Sequence, residues 1–410
     1  MAQAAFQAAH RPTSQPVYLH ALGMVNALGD DVSAIAAALA RGEAPGMGPI
    51  RTRIGEAFAG RVLASLDQAA FAPPAALAHY DCRNNRLLLA ALAQIRPAID
   101  AACERFGAGR VGVVLGTSTS GIGAVEATFA NADVDTNSAK RFDYRQMEIG
   151  SVAPFAAAAL GLGGPAFTIS TACTSSAKAF AAARRLLRAQ LCDAVVVGGV
   201  DTLCELTLQG FASLESTSAV RTNPMSANRR GINIGEGAAV FLMSREEGPV
   251  RFAGAGESSD AHHISAPDPQ GAGGEIALRA ALADAGIDAR AIGYVNLHAT
   301  ATLKNDQMEA HLMARVFPDG VAVSGTKPFT GHTLGAAGAT EAGLAWLTLA
   351  RDDVALPRHR WDGQADATLP PLDFVESARY LPRGTGAQSQ YVMSNSFAFG
   401  GSNVSLVLAR

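Results

Sequence analysis

Residues 168–177 read Thr168-Ile169-Ser170-Thr171-Ala172-Cys173-Thr174-Ser175-Ser176-Ala177. A β-like run ends here, a turn of small residues follows, and an Ala-rich helical pattern begins. A strand that leads through a short loop into a helix is typical of α/β proteins, in which helices cover a sheet on both faces. The stretch therefore predicts an α/β fold and places Cys173 at or just before a helix N-terminus.

The same alternation runs through the rest of the chain. The predicted strands are Val111–Leu115, Ala166–Ser170, Ala194–Gly198, Ala238–Met243, Gly293–Leu297, Val321–Ser324 and Val404–Leu408. The predicted helices are Arg86–Phe106, Ser175–Gln190, Glu275–Ala285 and Ala336–Ala350. A small-residue loop leads into an Ala-rich helix at Cys173–Gln190 and again at His332–Ala350, which hints at two related halves that meet near residue 250.

The composition excludes several classes of protein. With 49% hydrophobic and 17% charged residues, the 410-residue chain is an ordinary globular protein rather than a disordered one. A net charge of -3 gives no general attraction to nucleic acid or to an anionic membrane. The apolar stretch 152–167 is too short and too interrupted to span a bilayer. The start of the chain lacks the pattern of a signal peptide.

Five cysteines occur, with no Cys-x-x-Cys spacing. An odd number in this arrangement argues against a disulfide framework and against a zinc site. Free thiols are typical of a reducing compartment, so we expect a cytoplasmic protein that holds no metal.

Cys173 is the first candidate for chemistry. At a helix N-terminus, unpaired N–H groups and the helix dipole favour negative charge, so the pKa of this thiol is expected to fall toward the reactive thiolate. A buried inert cysteine is the alternative, and the residues alone leave both interpretations open.

Two histidines lie where predicted strands end. His298 follows an apolar strand and precedes Thr300 and Thr302, whose hydroxyls can contact a polar ligand, although a lone histidine is more often structural. His332 stands between Gly331 and a predicted helix, five residues after Lys327. There an imidazole tends to stay neutral and can donate to a developing oxyanion.

A glycine turn, Asn395-Ser396-Phe397-Ala398-Phe399-Gly400-Gly401-Ser402-Asn403, lets backbone N–H groups approach a ligand closely. The glycine-rich stretch 116–123 does not match G-x-G-x-x-G in a βαβ context, which argues against a dinucleotide site. Neither G-x-x-x-x-G-K-[ST] nor G-x-S-x-G occurs in the chain.

Together with residues 224–239, PMSANRRGINIGEGAA, these segments resemble the β-ketoacyl-acyl-carrier-protein synthases of the elongating type. The likeness runs from about residue 17 to Arg410, with the motifs in the family's order. It implies a thiolase-type fold with two pseudo-symmetric halves in five α/β layers, residues 17–250 carrying the nucleophile and 251–410 the histidines. It also implies decarboxylative Claisen condensation of an acyl group with malonyl-acyl carrier protein, without a cofactor.

The resemblance assigns roles by position. Cys173 would be the acyl-accepting nucleophile, and His298 and His332 would act on the malonyl group. Lys327 would be a supporting cation paired with Glu309. Phe399 would be the gate, and its backbone N–H and that of Cys173 would form the oxyanion hole. Thr300 and Thr302 would contact pantetheine, and Asp306 would be a supporting residue.

The set Cys-His-His favours elongation over priming from coenzyme A, since priming synthases carry Cys-His-Asn. Three departures from the family pattern stand out: Ala299 and Ala398 replace glycines, and Pro224-Met225-Ser226 replaces Pro-Phe-Asp. An alanine before the gating Phe399 is expected to stiffen the gate. These changes point to a divergent member in a specialised pathway, such as aryl polyene or polyketide-like synthesis.

The expected partners are acyl carrier protein and a second synthase-like subunit, in a homodimer or a heterodimer. Because the carrier is acidic, a basic rim is expected at the pocket mouth, with Arg83 and Arg86 as candidates. A non-catalytic chain-length-factor-like subunit is the main alternative. A degradative thiolase is disfavoured because no cysteine follows Cys204 to supply its second reactive thiol.

Overall fold

The structure, a computed structural model, describes residues 15–130, 143–381 and 390–410. The strands are β1 (Tyr18–Val25), β2 (Met47–Thr52), β3 (Gly55–Gly60), β4 (Val111–Gly116), β5 (Ala166–Ile169), β6 (Ala194–Asp201), β7 (Gly237–Ser244), β8 (Val250–Ser259), β9 (Ile292–Leu297), β10 (Ala322–Gly325), β11 (Asp373–Phe374), β12 (Tyr391–Phe397) and β13 (Ser402–Ala409). The helices are α1 (Val32–Arg41), α2 (Arg83–Phe106), α3 (Ile122–Ala130), α4 (Val152–Leu160), α5 (Ser175–Arg188), α6 (Glu205–Ser213), α7 (Ala272–Ala285), α8 (Leu303–Val316), α9 (Lys327–Thr330) and α10 (Ala337–Ala350).

Eleven of the described strands form one mixed sheet in the order β11-β10-β9-β12-β13-β8-β1-β7-β6-β4-β5. The two sides of this sheet have the same connectivity, because β5-β4-β6-β7-β1 matches β10-β9-β12-β13-β8 in order and in strand direction. The sides meet where β1 pairs with β8 through only two residue pairs, Tyr18 with Arg251 and Leu19 with Val250. The hairpin β2–β3 stands apart from this sheet.

Helices fill three layers around the two sides of the sheet. Helices α5 and α10 contact each other and strands of both sides, so they form the central layer. Helices α2 and α4 cover the outer face of the first side, and α7 and α8 cover that of the second. Ala and Gly dominate the contact between the central helices because a close approach leaves no room for larger side chains; a Cβ at Gly338 would lie 2.7 Å from that of Ala177.

Parallel strands place their carboxyl ends at one edge of the sheet, where α/β folds bind ligands. Strand β5 leads through Cys173 into α5, and its counterpart β10 leads through His332 toward α10. Strand β9 ends at Leu297, directly before His298. The repeated connectivity thus brings residues that are far apart in the sequence to one place between the two halves.

All of the predicted strands and helices are present, with ends that differ by a few residues at most. The α/β class and the implied two-half, five-layer architecture are confirmed. The division into units at residue 250 stays a prediction. Several elements were not predicted, among them β1, β8, β12 and α8. None of the described helices is long and apolar enough to cross a membrane.

Candidate active site

Cys173 lies at the turn between β5 and α5, two residues before the helix begins. Ala172 adopts a left-handed backbone with φ of 52°, which turns the chain sharply and aims the Cys173 side chain toward the second half. The Ser175 hydroxyl donates to the Ala172 carbonyl at 2.6 Å, and the Thr171 N–H donates to that hydroxyl at 2.9 Å. Local hydrogen bonds therefore fix this strained turn.

His332 contacts the thiol directly. Its Nε2 lies 2.9 Å from Cys173 Sγ, across a sequence separation of 159 residues. The His332 N–H donates to the Asn233 carbonyl at 2.7 Å, and the Gly235 N–H donates to the His332 carbonyl at 2.8 Å. Burial, followed by the charge of Lys327, holds the pKa of His332 well below its ordinary value. The imidazole is therefore neutral, as predicted.

His298 faces the same point from the end of β9. Its ring centroid lies 5.3 Å from that of His332, and the thiol and both imidazoles have ligand atoms within 4.8 Å of one another. Lys327 Nζ lies 3.4 Å from His298 Nδ1. An ammonium only donates, so Nδ1 accepts and the ring proton sits on Nε2. The pKa of His298 is held far below its ordinary value by burial first, then by Lys327 and His332.

Lys327 forms its ion pair with Glu341, a residue of α10, and also donates to the His298 carbonyl at 2.5 Å. The expected ion pair between Lys327 and Glu309 is therefore wrong, because Glu341 is the partner in the structure. Burial raises the pKa of Glu341 to about 6, while Lys327 opposes that rise. Glu341 is the only charged residue of α10, so an isolated acid in an Ala- and Leu-rich helix was the available sequence signal.

Glu309 and Asp306, on the first turns of α8, accept backbone N–H groups of the loop that follows β9. Glu309 accepts from the N–H groups of His298 and Ala299, both at 2.7 Å. Asp306 accepts from Ala301 at 3.0 Å and from Met225 at 2.7 Å. Both carboxylates thus hold the backbone that presents His298.

The thiol pKa departs from the sequence-based expectation. Burial raises the pKa of Cys173 to about 12 and outweighs Lys327 and the Phe399 N–H, which both lower it. The predicted shift toward thiolate is therefore wrong in direction, because complete desolvation of the sulfur dominates over any stabilisation of negative charge by the helix N-terminus.

A cavity of about 410 Å³ has Cys173, His298 and His332 in its wall. Thr300 and Thr302 also line it, and their hydroxyls lie 3.0 Å apart. Phe399, in the turn after β12, lies in the same wall and packs on Phe211 of α6 with ring centroids 5.3 Å apart. Phe211 was not singled out from the sequence, where an aromatic residue in an amphipathic helix gives no distinctive signal.

The mouth of this cavity carries the exposed side chains of Arg230 and Lys304. Arg83 and Arg86, the expected candidates, do not line the cavity. Arg83 is paired with the buried Glu236, and Arg86 with Asp81. These two arginines have structural partners, so the expectation that they form the rim is wrong.

The thiol and two imidazoles have the donor types that bind zinc. The Lys327 ammonium beside His298 opposes a second cation at this point. The arrangement suits a thiol that reacts with a carbonyl compound, with neutral imidazoles as hydrogen-bonding groups.

Comparison with known proteins identifies the family. Residues 23–248 match the model of the β-ketoacyl synthase N-terminal domain, and residues 250–359 match that of the C-terminal domain. The chain belongs to the β-ketoacyl synthase family. Among its relatives is 3-oxoacyl-acyl-carrier-protein synthase 2 of Coxiella burnetii, which is 32% identical over 96% of this chain and 98% of that protein.

Two solved structures of the family are similar over 97% of this synthase and 99% of each matched chain. One is a ketosynthase, ApeO, in complex with its chain length factor, ApeC, from Xenorhabdus doucetiae, with a TM-score of 0.91 and 44% identity. The other is a β-ketoacyl synthase from Burkholderia phymatum, with a TM-score of 0.80 and 28% identity. The predicted family and the thiolase-type fold are confirmed.

Proposed function

We propose that this chain is the catalytic subunit of an elongating ketosynthase. It joins an acyl group held on Cys173 to malonyl-acyl carrier protein, giving 3-oxoacyl-acyl carrier protein and CO2. The observation that carries the proposal is the convergence of the Cys173 sulfur with His332 Nε2 at 2.9 Å and with His298, in the wall of a cavity that reaches the surface.

Acyl transfer begins from the neutral thiol, which burial favours over the thiolate. Cys173 attacks the carrier thioester while its proton passes to His332 Nε2, and that proton then goes to the departing carrier thiol. The oxyanion of the tetrahedral intermediate receives the backbone N–H groups of Cys173 and Phe399. The Phe399 N–H lowers the pKa of the Cys173 thiol, which supports this role.

Decarboxylation follows when malonyl-carrier protein occupies the cavity. The bond to the malonyl carboxylate breaks, CO2 leaves, and the electron pair forms an enolate whose oxygen needs hydrogen-bond donors. His298 supplies Nε2–H, since Lys327 occupies its Nδ1. Nδ1 of His332 has no protein partner in the described part of the chain, so this ring is not locked in one tautomer and donates from Nε2 once the sulfur is acylated.

Condensation completes the cycle. The enolate carbon attacks the acyl carbonyl on Cys173, a carbon–carbon bond forms, and the carbon–sulfur bond breaks. The released thiolate takes the proton of His332 Nε2, and the imidazole regains a proton from solvent, so the neutral thiol is restored. Lys327, in contact with Glu341, keeps His298 oriented.

The substrate arm enters past Thr300 and Thr302, whose paired hydroxyls suit the amide groups of pantetheine. At the mouth, Arg230 and Lys304 are exposed and form no ion pair in the described residues. They provide positive charge for an acidic carrier protein. Phe399, held against Phe211, is placed to gate the acyl cavity.

A second ketosynthase-like subunit is proposed to pair at β5. This strand ends the sheet and has β4 as its neighbour among the described strands. Phe167 on β5 is 38% exposed, and the nearby Ile149 is 40% exposed. An apolar free edge is a template for another chain. The ketosynthase of Xenorhabdus doucetiae, 44% identical, was solved with a chain length factor, which favours a heterodimer over a homodimer here.

That comparison also favours chain elongation in a specialised polyene or polyketide-type pathway over primary fatty acid synthesis. The five free cysteines fit a cytoplasmic enzyme.

The test is the intact mass of the protein after incubation with a panel of acyl-carrier proteins. We expect an acyl adduct that Cys173→Ala abolishes and that Cys204→Ala, a buried thiol outside the site, retains. His298→Ala is expected to keep the adduct but to slow malonyl decarboxylation by about 10²–10³, the usual loss for one oxyanion donor. Absence of any adduct across the panel would favour the non-catalytic partner instead.

A further inference from the structure

A further buried carboxylate lies close to the site and has no part in the reaction described above. Asp201, the last residue of β6, is completely buried. Oδ1 accepts from the hydroxyls of Thr117 at 2.5 Å and Thr119 at 2.8 Å. Oδ1 also accepts the backbone N–H groups of Ser118 at 3.0 Å and Thr119 at 2.9 Å.

The other oxygen of Asp201 reaches the second half of the protein. Oδ2 accepts the Ser118 hydroxyl at 2.9 Å and the backbone N–H of Gly335 at 2.6 Å. Gly335 is three residues after His332, so a single carboxylate joins the loop after β4 to the turn that carries the catalytic imidazole. Burial raises the pKa of Asp201, but donors face both oxygens and favour the ionised carboxylate.

The His332 turn needs such a tether. Leu334, between His332 and Gly335, has φ of 51°, a strained conformation for a branched side chain. A Cβ at Gly335 would lie 2.6 Å from the Ser118 nitrogen and 2.7 Å from Asp201 Oδ2, so the backbone packs directly on the carboxylate. On its other side the turn is held by the hydrogen bonds of His332 with Asn233 and Gly235.

We propose that Asp201 is a positioning residue, which holds Leu334 in its strained conformation through Gly335 and thereby keeps His332 Nε2 against the Cys173 sulfur. The proposal rests on the proposed role of His332. Without the carboxylate the turn is free to relax, and the imidazole loses its alignment with the thiol and with the malonyl oxygen.

Asp201 also acts on the thiol through its charge. The ionisable groups around Cys173 are Lys327, which lowers the pKa of the thiol, Glu341 and Asp201, which raise it, and the two neutral imidazoles. Removing the Asp201 charge is therefore expected to make the thiolate easier to form. Positioning and charge thus predict opposite changes in two measurements, and a general loss of structure would not produce that pattern.

The experiment compares Asp201→Asn with Asp284→Asn in the full-length protein. The Oδ1 position faces the backbone N–H groups of Ser118 and Thr119, and the Oδ2 position faces the backbone N–H of Gly335. In either orientation of an asparagine side chain, its NH2 group therefore meets another donor. Asp284, on α7, is the matched control because it also accepts a backbone N–H, from Ala255 at 2.8 Å, and a side chain, that of Arg184. Asp284 does not line the cavity.

For Asp201→Asn we expect kcat for condensation to fall by about 10–100-fold with KM for the carrier protein unchanged, as for a misplaced catalytic group. The pH profile of Cys173 alkylation by iodoacetamide is expected to move to lower pH. Asp284→Asn should change neither quantity, even where its melting temperature falls equally. Ser118→Ala, which removes one hydroxyl donor, should give a smaller fall in kcat and serves if the first variant does not fold.

Unchanged kcat in Asp201→Asn, or in Ser118→Ala when only that variant folds, would overturn the proposal, as would a fall matched by Asp284→Asn. An alkylation profile that does not move would overturn the role of the charge. Failure of the proposed function is distinguishable, because the wild-type protein would then form no acyl adduct while its thiol could still be alkylated.

Discussion

Cys173 combines a sharp backbone turn with complete burial, and the two act on different properties of the thiol. The left-handed Ala172 aims the sulfur at the imidazoles. Burial keeps the proton on the sulfur until a substrate arrives, because the cavity wall offers little solvation to an anion. A thiol stored in this form resists adventitious alkylation and oxidation, since the thiolate is the reactive species.

The alkylation rate of Cys173 is therefore predicted to be low at pH 7 and to rise through the alkaline range without levelling off below pH 9. The thiolate fraction grows about tenfold per pH unit below a pKa of about 12. Lys327→Met should lower the rate at every pH, because it removes the nearest positive charge. Lys304→Met, at the mouth, should not. Peptide mass spectrometry after timed iodoacetamide treatment measures this; a plateau reached by pH 8 would contradict it.

Gly325, at the end of β10, lies against the methyl group of Ala299. A Cβ at Gly325 would stand 2.5 Å from the Ala299 Cβ. Gly325→Ala is predicted to lower the free energy of unfolding by about 1–3 kcal/mol, the usual cost of overpacking, and to reduce condensation, since Ala299 follows His298 directly.

The double variant Gly325→Ala/Ala299→Gly removes the opposing methyl group and should recover most of both losses. Chemical denaturation and steady-state kinetics of the four proteins form a double-mutant cycle. Purely additive effects would show that the two positions do not compete for space.

At the scale of elements, His359 ties the segment after α10 to the end of β10 and to the Pro224 turn. Its Nδ1 accepts the Gly325 N–H at 3.0 Å, and its Nε2 donates to the Pro224 carbonyl at 3.1 Å. Both nitrogens are used only in the neutral ring, and burial lowers the pKa of His359 to about 4.

This tie predicts a pH dependence of stability. In the unfolded chain His359 binds a proton below about pH 6.5, whereas in the folded chain it does so only below about pH 4. The contribution of His359 to stability is therefore present above pH 6.5 and is lost as the pH falls from 6.5 to 4. The loss assigned to His359 is on the order of 3 kcal/mol. The free energy of unfolding, measured by denaturation at several pH values, should depend less on pH in His359→Gln than in the wild type. An identical dependence in both proteins would contradict the prediction.

The turn between β12 and β13 bonds to the loop after β8. The Gly400 N–H donates to the Ile264 carbonyl at 2.7 Å, and the Asp260 N–H donates to the Gly401 carbonyl at 2.8 Å. Ala398 is not among the residues with positive φ, so its methyl group is accommodated without strain. A stiffer gate remains a prediction from the sequence.

Ala398→Gly is predicted to loosen this turn, because glycine has more backbone conformations to lose. We expect faster hydrogen exchange over residues 398–402 and a loss of about 0.5–1 kcal/mol in stability. Exchange over α10 serves as the internal control. Equal exchange of the turn in both proteins would indicate that the hydrogen bonds to Ile264 and Asp260, rather than the alanine, limit its motion.

At the scale of the whole molecule, the edge strand β5 predicts assembly. Phe167→Asp places a charge on the exposed edge and is expected to lower the mass of the purified assembly in light scattering toward that of one chain. Ile54→Asp, which changes an equally apolar side chain in the β2–β3 turn that is 67% exposed, is the control. An unchanged mass for Phe167→Asp would place the interface elsewhere.

Much of this architecture could be predicted from the sequence. The buried strands such as β4 and β6 are continuous apolar runs, and the motifs that carry Cys173, His298 and His332 follow strands in the family's order. These signals are local, and local patterns can be recognised in the sequence without the structure. The predicted carboxyl ends of β5, β9 and β10 lie within one residue of the observed ones.

The remaining features depend on contacts between distant residues. The ion pair of Lys327 joins it to a helix that begins ten residues later, and no periodicity distinguishes Glu341 from Glu309 as its partner. The direction of the thiol pKa depends on how much solvent both halves exclude. The tether of Asp201 joins three segments separated by 83 and 134 residues, so its meaning emerges only after folding.

The reacting groups come from both sides of a sheet whose sides share only two residue pairs. Cys173 belongs to one side, whereas both imidazoles and Lys327 belong to the other. The fit of α5 against α10, with Gly338 on Ala177, is what sets their spacing. The catalytic rate therefore depends closely on how the two halves of the protein are aligned. A methyl group added between those helices is expected to slow carbon–carbon bond formation even where the protein stays folded.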